Sequence, residues 1–221
     1  DVLEALGVEL DLTENRFKNC LGEAGVGFLF ARTHHSAMRH VAPERASLGI
    51  RTIFNLLGPL SNPASATHQI LGVNEARWLK PMAEALRDLG VQHGWVVHGG
   101  DSDGTVIDEL SIAGETQVIE VKDGALNELT IVPEDAGLSR NRLTALMGGV
   151  PAENALAIQE LLDGRPGPFR DAVVLNAAAG LFVLGKASDL KAGAEQVSEA
   201  IDSGAATRTL NTLAAASKGQ I

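Results

Sequence analysis

Two short stretches hold most of the side chains that can do chemistry. In THHSAMRHVAPER, from Thr33 to Arg45, the residues His34, His35, Arg39, His40 and Arg45 crowd together. Arg51 to Pro63 then reads RTIFNLLGPLSNP, an apolar helix-like run (Ile53, Phe54, Leu56, Leu57) broken by Gly58-Pro59 and Asn62-Pro63, so that rigid turns aim the polar groups. On a helix His35 and Arg39 share a face, as do Val41 and Arg45, and part of the cluster can converge on one pocket. A few fixed polar groups beside apolar walls is how a small-molecule site reads. Zinc fits poorly, because no carboxylate or cysteine stands at zinc-like spacing and the arginines repel a cation. A solvated basic face is the plain alternative on spacing alone.

A separate acidic segment runs from Gly99-Gly100-Asp101 through Asp103 and Gly104 to Asp108-Glu109-Leu110. It reads as an acidic loop after a strand end, where open α/β sheets tend to hold ligands. An EF-hand fails on spacing, since the glycine and closing glutamate are misplaced and no helix pair flanks the loop. Adjacent Asp108 and Glu109 can share Mg²⁺ through oxygen ligands and waters, although a solvated acidic loop has the same composition. Asn176, in the alanine-rich run Val174 to Ala179, reads as a helix-buried hydrogen bonder, and Cys20 and Met38 read as core.

The elements that must position these residues follow from periodicity and punctuation. Asp1 to Gly7 reads as a helix with its C-cap glycine, Thr13 caps a second helix to about Ala24, and VGFLFA, Val26 to Ala31, is a fully buried strand candidate. Short helices and turns carry Thr33 to Pro63. Strand His68 to Val73, helix Glu75 to Leu89 capped by Asn74, and strand Gly94 to His98 form a parallel crossover. Thr116 to Ile119 and Glu128 to Val132 flank the turn Lys122-Asp123-Gly124 as an antiparallel addition at a sheet edge. Helices then occupy Pro151 to Leu162, Pro168 to Leu184, Asp189 to Ser203 and Ala205 to Ser217, two of them with proline in the first turn. The expected fold is α/β, a mostly parallel sheet flanked by helices.

With 221 residues the chain can bury a sizeable core. A net charge of −10 and a pI near 5.0 argue against a nucleic-acid or anionic-membrane surface. A diphosphate can still be held locally by backbone N–H groups, Arg or Mg²⁺. One cysteine excludes an internal disulfide and fits a reducing cytosol. No leader opens the chain, and the longest apolar run, Ala172 to Leu184, is too short to span a bilayer. A cytoplasmic protein without membrane contact is expected.

The two stretches resemble the signature of the anthranilate phosphoribosyltransferases of tryptophan biosynthesis. Their pattern is His-Pro-Ala-Met, an arginine, then R-T-[IF]-F-N-[IL]-L-G-P-L-x-N-P, filled here by His35-Ser36-Ala37-Met38, Arg45 and Arg51 to Pro63, with Ser36 replacing the usual proline. The resemblance implies that His35 and Arg45 contact the aromatic substrate and that Gly58 and Pro59 line its channel. It makes Asp108-Glu109-Leu110-Ser111 the magnesium motif, with Mg²⁺ as cofactor and no dedicated catalytic base. The implied substrates are anthranilate and phosphoribosyl diphosphate, and the implied assembly is a homodimer. The fold implied is that of the nucleoside phosphorylases and phosphoribosyltransferases, a small helical domain beside a larger α/β domain. On that plan residues 1–32 start the α/β region, truncated at its N-terminus. Residues 33–64 are substrate-site helices of the small helical domain or hinge, and residues 65–221 are the α/β domain with C-terminal helices. The family's Gly-Thr-Gly-Gly-Asp and Lys-x-Gly-Asn runs are absent from this sequence, so a preceding segment is expected and the chain by itself is expected to be inactive. A pyrimidine nucleoside phosphorylase-like enzyme and a non-enzymatic nucleic-acid-binding relative are the alternatives. The first should not use the His35 and Arg45 arrangement, and the second should be basic where this chain is acidic.

Overall fold

The computed structural model describes residues 1–30 and 54–221, with backbone alone for 54–56. In chain order its elements are α1 (Val2–Ala5), α2 (Glu14–Ala24), α3 (Phe54–Leu60), β1 (His68–Gly72), α4 (Leu79–Asp88), β2 (His93–Gly100), β3 (Val106–Ile107), β4 (Thr116–Lys122) and β5 (Ala125–Ile131). The helices α5 (Pro151–Leu162), α6 (Pro168–Val183), α7 (Leu190–Asp202) and α8 (Ala205–Lys218) follow. Contacts divide the chain into a unit of Asp1–Gly58, Gly148–Gly164 and Ala200–Ile221 and a unit of Pro59–Met147 and Arg165–Glu199.

In the first unit Thr13 does cap α2. Its hydroxyl accepts from the Arg16 N–H at 3.3 Å, and Gly25 ends the helix in the left-handed region. Val8, Leu10, Leu12 and Cys20 bury themselves with Leu213 and Ala216 of α8. The Ser217 hydroxyl holds the Glu9 N–H at 2.9 Å. Cys20 is fully buried, and burial pushes its thiol pKa up, as fits a core residue. Met38 lies outside the described residues. Val26 to Phe30 do not form the buried strand expected of VGFLFA. No described strand pairs with them, and Val26 and Phe28 are exposed while Phe30 packs on the Cys20 cluster. An apolar run without a ladder partner is no strand, and composition alone cannot supply the partner.

The second unit contains the sheet, in the order β1-β2-β4-β5 with β3 also on β2. It is α/β as expected, but mixed among the described strands. Only β1 and β2 run parallel, while β2–β3, β2–β4 and β4–β5 are antiparallel. Asp123 (φ +50) and Gly124 (φ +79) make the two-residue turn of the β4–β5 hairpin, the geometry that matches strand twist. Residues on β2 alternate between faces. A Cβ at Gly94 would meet Leu86 of α4, whereas Trp95 packs on Phe182 of α6 at 5.3 Å, so the two helices cover opposite faces.

The crossover helix starts later than expected, at Leu79 after a 3₁₀ turn at Ala76–Trp78, and Asn74 does not cap it. Pro81 is the reason. A helix from Glu75 would set its ring against the Arg77 carbonyl, but from Leu79 it sits in the first turn, where no N–H is needed.

Candidate functional site

The two parallel strands end side by side, β1 at Gly72 and β2 at Gly99-Gly100. Beyond β2 the chain folds on itself. The Asp101 carboxylate accepts from the N–H groups of Asp103 at 2.9 Å and Thr105 at 2.8 Å, so it is spent on the turn. Strand β3 returns along β2, and Asp108-Glu109 then cross the ends of both parallel strands. Their backbone lies so close that a Cβ on Gly72 would overlap the Asp108 carbonyl oxygen and one on Gly99 the Glu109 carbonyl oxygen. Only glycine leaves that space.

Beyond the pair the chain is anchored. Leu110 is 1% exposed, and its peptide groups pair with the side-chain amide of Asn176 on α6: Oδ1 accepts from the Leu110 N–H at 3.0 Å and Nδ2 donates to the Leu110 carbonyl at 3.1 Å. Ser111 is fully buried, its hydroxyl donating to the Gly100 carbonyl at 2.7 Å and its N–H to Thr116 Oγ1 at 2.9 Å. The two acidic side chains remain exposed. Partial burial of the Glu109 carboxyl, then the adjacent Asp108 charge, raise its pKa above the usual carboxylate range.

Adjacent carboxylates, one of them with its charge disfavoured by burial and by its neighbour, are a donor set a divalent cation relieves. Hard oxygens suit Mg²⁺, which keeps several waters and takes one or two carboxylates plus substrate phosphates rather than a full protein cage. Among the described residues no group of three or more His, Cys, Asp or Glu could hold a metal, so this two-carboxylate arrangement fits that mode and no richer one.

Of the other residues singled out by sequence, His35 and Arg45 lie outside the described residues, as does Ser36. Gly58 and Pro59 were expected to break the apolar run, yet they lie inside α3, which continues to Leu60. Pro59 forfeits one backbone bond and the helix ends a residue later. The break falls at Asn62, whose Oδ1 accepts from the Ala64 N–H at 2.9 Å. The Pro59 carbonyl accepts from Gln69 Nε2 at 3.0 Å.

Sequence reasoning found Asn176 as a helix hydrogen bonder, though it is half-buried and not buried, did not find its partner, and missed the role of Gly72 and Gly99. A glycine at the end of each of two parallel strands is the signal that could have found them. It also missed a polar cluster at the other end of β2. There His93 Nε2 pairs with Glu120 Oε1 at 2.9 Å, Trp95 Nε1 donates to the same oxygen at 3.2 Å, and Asn127 Nδ2 donates to Oε2 at 3.3 Å. Burial pushes the Glu120 carboxyl up, but these bonds, that from His93 first, outweigh it and hold the pKa below the usual range. His93 also borders a cleft of about 390 Å³ with His68, Lys122, Asp123 and Phe182, at the amino ends of β1 and β2 and so opposite the acidic pair.

Residues 1–207 match the family model described as "Glycosyl transferase family, a/b domain". An anthranilate phosphoribosyltransferase of Hyphomonas neptunium is 59% identical over 218 residues, 99% of this chain and 63% of that protein. The chain thus spans less than two thirds of the length of the curated relatives it matches. The crystal structure of anthranilate phosphoribosyltransferase from Thermus thermophilus superposes with a TM-score of 0.89 at 48% identity, over 99% of this chain and 64% of that one. The Saccharomyces cerevisiae enzyme in complex with PRPP and Mg gives 0.88 at 27% identity, over 98% and 62%. Its complex with 4-fluoroanthranilate gives 0.89 at 28%, over 99% and 62%.

Proposed function

Because the chain belongs to the glycosyl transferase family, we propose that the whole protein transfers the phosphoribosyl group of phosphoribosyl diphosphate to the amine of anthranilate, giving N-(5-phosphoribosyl)anthranilate and diphosphate. The observation that carries the reading is the seat of Asp108 and Glu109, two exposed carboxylates on backbone wedged against Gly72 and Gly99 at the carboxyl ends of parallel strands. The yeast relative's complex with PRPP and Mg supports it. Asp108 and Glu109 hold Mg²⁺, which when bound neutralises charge on the leaving diphosphate.

In this reading the Arg45 guanidinium grips the anthranilate carboxylate through paired charged hydrogen bonds and leaves the amine pointing at the sugar. His35 helps orient the ring, and Gly58 and Pro59 line the way in. The amine nitrogen bonds to C1 of the ribose as the bond from C1 to the diphosphate oxygen breaks, the diphosphate departs with that bonding pair, and the amine then gives up one proton to solvent water. An aromatic amine is already nucleophilic, so positioning and leaving-group stabilisation carry the barrier without a dedicated base. The protein works as a cytoplasmic homodimer with no nucleic-acid or membrane partner. Among the described residues, no helix is long and apolar enough to cross a membrane.

The test is to follow anthranilate fluorescence in the full-length protein with phosphoribosyl diphosphate and Mg²⁺, and to assay phosphorolysis of thymidine and uridine beside it. Phosphorolysis without anthranilate consumption would replace this reading with a nucleoside phosphorylase.

A further inference from the structure

Asp108 and Glu109 are fixed from two directions, and glycine accounts for one of them. Gly72 and Gly99 let the backbone of the pair lie against the strand ends, but a notch only limits approach. The β3 ladder holds the segment before the pair and Ser111 holds it two residues on, but the peptide directly after the pair has its own fixture. Among the described residues, the Leu110 N–H and carbonyl have no partner besides Asn176, which binds both at 3.0 and 3.1 Å. Asn176 Nδ2 also donates to the Ala172 carbonyl one turn back on α6 at 3.0 Å, so both amide protons are used and the side-chain rotamer is locked to its own helix. The contact joins residues 66 apart in sequence. It is the hydrogen-bond exchange of a sheet ladder, made by a side chain.

Resting on the reading of Asp108 and Glu109 as magnesium ligands, we infer that Asn176 is a positioning residue for that pair: it fixes the Leu110 peptide, and through it the direction in which both carboxylates leave the backbone. No other standard side chain reproduces the pairing. Aspartate lacks the donor, leucine lacks both groups, and glutamine is a methylene too long for a helix at this distance. Two carboxylates that repel each other need such a fixture, because a free loop would turn them apart. Groups that orient metal ligands from behind typically govern metal affinity by about 10- to 100-fold.

The test uses the full-length protein with Mn²⁺ as probe, its binding read by electron paramagnetic resonance with and without phosphoribosyl diphosphate. Asn176→Ala should weaken Mn²⁺ binding by about 10-fold or more and speed hydrogen exchange at the Leu110 amide. Asn176→Ser guards against misfolding. Its hydroxyl can bond the Ala172 carbonyl within the helix and so removes little except the link to Leu110, and it should lose Mn²⁺ affinity to the same degree. Val183→Ala, a buried position at the far end of α6, controls for stability and should lower the thermal midpoint while leaving Mn²⁺ affinity within about twofold. Wild-type Mn²⁺ affinity in a folded Asn176→Ala or Asn176→Ser variant overturns the inference. An Asp108→Asn, Glu109→Gln double variant that binds Mn²⁺ as well as wild type overturns the underlying magnesium reading instead, and the inference with it.

Discussion

Replacing Gly72 by alanine should injure the acidic pair more than the fold. The added Cβ would overlap the Asp108 carbonyl oxygen and stand 2.6 Å from its carbon and 3.1 Å from its Cβ, where ordinary contact begins at 3.4 Å. Because carbonyl oxygen and carbon are backbone, no rotamer change relieves the clash, and the Asp108 peptide must retreat by about 1 Å or more. Overpacking of that kind costs about 1–3 kcal/mol. Displacing groups that position a reacting centre by about 1 Å can cost about 100-fold in rate. We therefore predict for Gly72→Ala a modestly lower thermal midpoint, a kcat/KM for phosphoribosyl transfer down about 100-fold, and a raised Mg²⁺ requirement. Gly22→Ala is the matched control. It makes the same change in the last turn of α2, with nothing within 4 Å of the new methyl and no left-handed φ, and should be neutral or stabilising by up to about 1 kcal/mol. If Gly72→Ala keeps wild-type rate and Mg²⁺ dependence, the seat of the pair has nothing to do with activity and the metal assignment goes with it.

The remaining predictions test other parts of the proposal. Arg45→Ala should raise the KM for anthranilate far above that for phosphoribosyl diphosphate, since loss of one partner of a desolvated charge pair costs about 2–5 kcal/mol; equal effects on both substrates in steady-state kinetics refute the role. Asp108→Asn with Glu109→Gln should leave the circular dichroism spectrum unchanged and abolish turnover at limiting Mg²⁺, whereas normal turnover there makes the pair a solvated loop. Glu120 has a lowered pKa, so the folded state releases its proton more readily than the unfolded chain does. Its contribution is complete above the unfolded value and is lost as pH falls through the folded value. Glu120→Gln should accordingly flatten the acid limb of an unfolding-free-energy profile, and Glu120→Ala, which strands the His93 and Trp95 side chains, should cost about 1–3 kcal/mol for each group left unsatisfied, read by chemical denaturation. An unchanged acid limb in Glu120→Gln would contradict the cluster's role.

What could be read from the sequence was what is local. Thr13, Gly25 and the Asp123-Gly124 turn act within a few residues, so their structural effects follow from residue type. The run from Arg51 to Pro63 was dense enough to indicate a family before any fold was known. What escaped reading depends on partners far along the chain. VGFLFA is apolar enough for a buried strand, yet only a ladder partner would have made it one. The pairing of Asn176 with Leu110 and the trio gathered on Glu120 leave no periodicity, because each joins elements the fold brings together. Pro81 is a local signal too, and it sets the start of α4 at Leu79 where Asn74 alone suggests an earlier one. Asp101 and Asp103 do lie in a loop after a strand end, and composition did not show that the Asp101 carboxylate serves its own turn.

Helix α6 is tied to the sheet at two unlike places: Asn176 grips the chain beside the acidic pair, and Phe182 packs against the rings of His93 and Trp95 at the opposite strand ends. Each residue added to or removed from a helix turns everything beyond it by about 100° and shifts it by about 1.5 Å. The stretch between those two anchors is therefore a fixed gauge. A single insertion or deletion there must release one end. The length of that segment is therefore held as firmly as its buried alanines, Ala178 and Ala179.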